Sequence, residues 1–161
     1  MSMFENNQYR WRETYFVLFR SSKRPTLETL QHRLSKLNSR FALTNLNADE
    51  SGRFESMTVL SPDDFAALDI CYLEGHEVRE RGAEMADELE TTDCRPEDRA
   101  RLARIRQCDA RFDVLHFEQI VNFEDDESDD MLDPSALLVV LEALCKETEG
   151  LAVDPQAGTF L

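Results

Sequence analysis

Along this chain the spacing of hydrophobic positions changes several times, and each change marks an element. "TYFVLF", Thr14 to Phe19, is apolar on both parities and predicts a buried central strand. "SSKRP" breaks it. Leu27, Leu30, Leu34 and Leu37 then recur at helical spacing, with Thr26 placed to cap the first turn. "FALTNL" and "FESMTVL" read as two strands joined by "NADESG", a hairpin in which Gly52 can take a positive φ. In "SPDD", Ser61 is an N-cap, Pro62 suits a first helical position and Asp64 suits a capping box, so a helical turn is expected through Phe65 to Ala67. A short strand is expected at Ile70 to Leu73.

Residues 75–92 predict a charged helix with Val78, Met85 and Leu89 on its apolar side, and "RPEDRARLARIRQC" predicts a second with Leu102 and Ile105. "RFDVLHFEQIV" is again apolar on both parities and reads as another central strand. The run "EDDESDD" cannot pack, so 122–133 reads as an acidic flexible loop. Asp133 as N-cap, Pro134 as N1 and Gly150 as C′ bracket a helix buried through Leu137, Leu138, Leu141, Leu144 and Cys145. "LAV" and "TFL" close the chain as short strands around a "DPQAG" turn. The order predicts one α+β domain over 1–161. Its expected form is a ferredoxin-like two-layer sandwich, mainly antiparallel, with helices on one face and a C-terminal helix and strand extension.

The tail "GLAVDPQAGTFL", preceded by its leucine-rich helix, resembles the ending of several small bacterial proteins of unknown function, some of them similar to toxin-immunity proteins. "GRFESMTVLSPDDFAALDICYLEG" resembles part of an uncharacterised bacterial family. The resemblance implies a bacterial cytosolic protein and carries no catalytic residues with it.

Charge adds an asymmetry. The 161 residues carry a net charge of −15, divided into +3 over residues 1–60 and −18 over 61–161. Such a chain repels nucleic acid and anionic membranes and attracts basic partners. Interleaved Arg and aromatic residues in "YRWRETYF" and "RSSKR" have the composition of a base-stacking platform, but the aromatics of Thr14 to Phe19 are expected in the core. Arg95, Arg99, Arg101, Arg104 and Arg106 are expected to pair with the protein's own acids, on the neighbouring helix or in the 124–130 loop. The start "MSMFENNQYRWRE" has no apolar signal core and no stretch is long enough to span a bilayer, so the expected compartment is the cytoplasm, with Cys71, Cys94, Cys108 and Cys145 as reduced thiols.

The candidate chemistry is sparse. Neither phosphate-binding glycine motif nor a nucleophile elbow is present. His32, His76, His116 and the cysteines lack zinc-site spacing. Asp125, Glu127 and Asp129 alternate as in a calcium loop, but Asp130 stands where its glycine belongs and Ala136 where its glutamate belongs. No metal or cofactor is therefore expected. The leading expectation is a non-catalytic regulatory or interaction module, immunity-like in type, that meets a basic protein partner through Glu124, Asp125, Asp126, Glu127, Asp129 and Asp130. The alternative is a small-molecule binder or enzyme whose pocket lies between sheet and helices, walled by Cys71, Tyr72, Glu74 and His76. A homodimer through an exposed sheet face is a third.

Overall fold

A computed structural model describes residues 7–91, 95–120 and 134–161. Among the described residues seven strands form one open sheet: β1 (Tyr9–Phe19), β2 (Ala42–Ala48), β3 (Phe54–Ser61), β4 (Ala66–Glu74), β5 (Ala110–Gln119), β6 (Leu151–Asp154) and β7 (Thr159–Phe160). Four helices accompany them: α1 (Leu27–Ser35), α2 (His76–Thr91), α3 (Pro96–Ile105) and α4 (Ser135–Thr148). The strand order is β2-β3-β4-β5-β1-β6-β7, and every pairing is antiparallel.

The two segments that are apolar on both parities, β1 and β5, lie side by side in the interior of the sheet, with Val17 opposite Phe112 and Tyr15 opposite Val114. Strand alternation then sorts their side chains. On one face Tyr15, Val17 and Phe19 of β1 join Phe112 and Val114 of β5, Leu30 and Leu34 of α1, and Leu137, Val140, Leu141 and Leu144 of α4. The ring of Phe112 lies 4.8 Å from Phe19 and 5.4 Å from Phe54, the second contact edge-to-face. On the other face Phe16 and Leu18 join Val153 of β6, Met85 and Ala86 of α2, and Leu102 and Ile105 of α3. Helices therefore cover both faces, and the expected two-layer arrangement with helices on one face is corrected to three layers. The physical reason is in β1: an even-numbered apolar set, Phe16 and Leu18, needs burial just as the odd-numbered set does.

Local expectations are met at some positions and corrected at others. The Thr26 side chain accepts from the Thr29 N–H at 3.1 Å and caps α1. Gly52 turns the β2–β3 hairpin with φ 81°. The Ser61 hydroxyl donates to Asp64 Oδ2 at 2.9 Å, but the turn it starts is a single 3₁₀ turn, Pro62–Asp64, and not a helix reaching Ala67. Phe65, with φ 50°, reverses the chain and β4 begins at once, twice the length expected at Ile70 to Leu73. At the end of α4 the left-handed residue is Glu149, φ 55°, where Gly150 was expected. Gly150 serves packing instead: a Cβ there would meet the Leu18 carbonyl oxygen and Thr148 Oγ1, each at 2.8 Å. The chain must pass this close to β1 for β6 to pair with it.

Candidate functional site

The cleft begins where three elements end. Arg20 follows the last residue of β1, and a 3₁₀ turn, Ser21–Lys23, carries Lys23. Asp109 pins that turn by accepting from the Ser21 N–H and hydroxyl, both at 2.7 Å. Burial alone would raise the Asp109 carboxyl, but these two donors and nearby Arg79 outweigh it and hold it below its usual range. The last turn of α3 brings Arg104, and the residues just after it bring Gln107 and Cys108. The end of α4 brings Thr148 and Glu149. Together these residues line a cleft of about 180 Å³ floored by Leu18 and Phe19 of β1.

Its polar groups are partly engaged. Arg104 donates to the Glu149 carbonyl at 2.6 Å, which satisfies a carbonyl at the end of α4. Lys23 Nζ stands 3.4 Å from the Glu149 carboxylate, and Arg20 donates to Gln107 Oε1. The Cys108 thiol donates to the Arg104 carbonyl at 3.2 Å, and burial pushes its pKa up to about 11 in spite of Arg104 and Arg20 nearby. The thiol is therefore a neutral wall and not a nucleophile at neutral pH.

The residues expected to wall a pocket are divided by the fold. Tyr72 and Cys71 are neighbours on β4 and point to opposite faces. Tyr72 packs toward Phe19 and Phe112, lies 3.9 Å beneath the Arg24 guanidinium, and donates to Glu74 Oε2 at 2.6 Å. Cys71 sits on the other face, opposite Asp113 in the register, with its thiol pKa raised by burial and by the charges of Asp69 and Asp113. His76 is exposed at the start of α2, 2.8 Å from Glu80. Tyr72 and Glu74 are brought together, and Cys71 and His76 do not join them. The acidic stretch Glu124 to Asp130 lies outside the described residues.

The face that carries Cys71 also carries a polar network. The Thr58 hydroxyl donates to Asp69 Oδ1 at 2.6 Å, Asn45 donates to Thr58 at 3.2 Å, and Arg111 donates to Asp113 at 2.7 Å while stacking over Phe16. Burial raises the Asp113 carboxyl pKa against the pull of Arg111. These groups hold one another in place. Among the described residues no three His, Cys, Asp or Glu side chains are placed to share a metal ion.

The sequence reading missed the cleft. The sequence reads "SSKRP" as a breaker, "RSSKR" as part of a base-stacking composition and Arg104 as an ion-pair donor, and none of these readings joins them in one cleft. The available signal was "FRSSKR", basic residues immediately after a buried strand. No protein-family model matches this chain, and neither the curated proteins nor the solved structures contain a match.

Proposed function

We propose that the protein is a non-catalytic interaction module whose acidic surface meets a basic protein partner. The observation that carries this reading is the outer surface of α2. Glu77, Glu80, Glu84, Asp87, Glu88 and Glu90 are all exposed there, while Val78, Met85 and Ala86 turn inward. Arg79 and Arg81 are the only basic residues of that helix besides His76. Arg106 of the α3 end bridges to Asp87 at 2.8 Å and Glu90 at 3.0 Å, so the local surplus is acidic even after internal pairing. Potentials of one sign over a surface accelerate encounter with the opposite sign and repel nucleic acid and anionic lipid. Within the fold, β5-α4-β6 is a split unit with β1 between its parallel strands, the part of the architecture that supports a ferredoxin-like reading.

The test is kinetic. A partner is captured from native lysate on the tagged protein, eluted by salt, identified and purified. Its association rate is then measured at about 50 and 300 mM salt, with the wild type and with Glu77→Gln/Glu80→Gln/Glu84→Gln. The expected result is a fall of roughly tenfold or more in on-rate with salt, and a slower, less salt-sensitive variant. An on-rate indifferent to both would overturn the reading.

A further inference from the structure

We propose that the cleft at the end of β1 binds a small phosphate oxyanion, either inorganic phosphate or the phosphate group of a monoester. The argument starts from charge placement. The chain holds 33 acidic and 18 basic residues, so a basic side chain should find a carboxylate easily. Most of the described arginines do: Arg33 with Glu147, Arg53 with Asp49, Arg81 with Glu84, Arg106 with Asp87, Arg111 with Asp113. Among the described residues Arg20 and Arg104 do not. Their partners are an amide oxygen and a main-chain carbonyl, both neutral. Both guanidiniums stand close enough to Cys108 to pull against the rise in its thiol pKa. With Lys23, three cations, two from the turn after β1 and one from α3, line one cleft, and Glu149 is the one acid among its described lining residues.

The chemistry of the walls fits a tetrahedral anion. A guanidinium offers five N–H donors in a fixed fork, and one bond to Gln107 or to a carbonyl leaves the rest of that fork for oxygen acceptors. Lys23 adds a mobile point charge. A cleft of about 180 Å³ holds a phosphate with a water or a small substituent. It is well below the roughly 300–1,000 Å³ of sites that enclose larger organic ligands, which argues against a nucleotide. Two effects oppose binding. The C-terminal ends of α3 and α4 point negative partial charge at the cleft, but Arg104 and Lys23 are engaged with Glu149 and offset much of it. The distant acids of the protein are screened beyond about 8 Å at physiological ionic strength. The resulting affinity is modest, with dissociation constants around the millimolar range.

The experiment is calorimetric titration of the full chain with inorganic phosphate and with phenyl phosphate, against chloride at matched ionic strength. Saturable one-to-one binding is expected. Arg20→Gln and Lys23→Gln should each weaken it severalfold, and Arg20→Gln/Arg104→Gln at least tenfold. Arg99→Gln, an exposed arginine of α3 outside the cleft, should leave it unchanged. Tighter binding of phenyl phosphate than of phosphate identifies a monoester as the ligand class, and the reverse identifies the free ion. Arg104→Gln removes a helix-end contact, so the double variant counts only where circular dichroism shows it folded. The two single variants leave the Arg104 bond to the Glu149 carbonyl in place and carry the test otherwise. No saturable heat up to about 20 mM phosphate, far above a millimolar constant, overturns the proposal. So does an equal loss in Arg99→Gln, which would show diffuse charge attraction.

Discussion

His116 shows how one residue registers the whole sheet. It lies on β5 between Leu68 and Glu13 in the register, is 1% exposed, and has no hydrogen-bond partner at either ring nitrogen among the described residues. Glu13 approaches Nδ1 only to 4.0 Å and is itself half in solvent. Burial pushes the His116 pKa down, with Arg12 in the same direction, and outweighs Glu13 and Glu118, which pull it up. A base with a depressed folded pKa binds fewer protons folded than unfolded, so stability rises with pH across the gap. The contribution is intact above the unfolded value near 6.5 and is lost as pH falls toward the folded pKa. His116→Phe should remove that loss. In urea titrations from pH 8 to pH 5, the wild type is expected to lose stability relative to the variant as pH falls, and parallel profiles would show that His116 is not the source. Gly150 is a second residue of this kind. Gly150→Ala drives a Cβ into the Leu18 carbonyl, and the expected cost is about 1–3 kcal/mol in chemical denaturation.

At the scale of elements, local chemistry and tertiary burial can be separated. The Thr26 cap on α1 is a local device, and Thr26→Ala should cost about 1 kcal/mol, within the usual 0.5–2. Leu30, fully buried one turn later, packs into the core shared with α4 and the sheet, so Leu30→Ala should cost about 2–5 kcal/mol. Denaturation midpoints of the two variants check the ratio, and a cap loss equal to the core loss would contradict it. The period of apolar residues made α1, α2, α3 and α4 legible, along with β1, β5 and the β2–β3 hairpin. β4 was legible only in its second half. Ala66 to Leu68 are buried yet small or unpatterned, and what makes them strand is pairing with β3 and β5 on both sides. The C-terminal strands were legible from the Asp154 turn, whose side chain accepts from the Gln156 and Ala157 N–H groups at 3.0 and 3.1 Å.

For the whole molecule, charge and layering matter together. The net −15 comes from composition, but α2 becomes an acidic outer surface only because Met85 and Ala86 are drawn under it against Leu18. The expected pairing of the arginines from Arg95 to Arg106 with the protein's own acids is seen for Arg106, with Asp87 on the neighbouring helix, and for Arg101, 3.6 Å from Asp98 and also over the Phe160 ring at 5.4 Å, whereas Arg104 turns to the end of α4. Such exposed pairs are screened by water and salt and orient more than they stabilise. Among the described residues no helix is long and apolar enough to cross a membrane.

By itself the sequence determined the charge, most of the elements, the Thr26 cap and the Gly52 and Asp154 turns, because each depends on residues within a few positions of one another. Tertiary structure decided which face each element covers, since one run of apolar residues on both parities is compatible with helices on either side. It also decided the cleft. Arg20, Arg104 and Glu149 are far apart along the chain, and none belongs to a local motif. They meet because β1, α3 and α4 all end at the same corner of the sheet, with Gly150 letting the backbone pass close enough to hold that corner together.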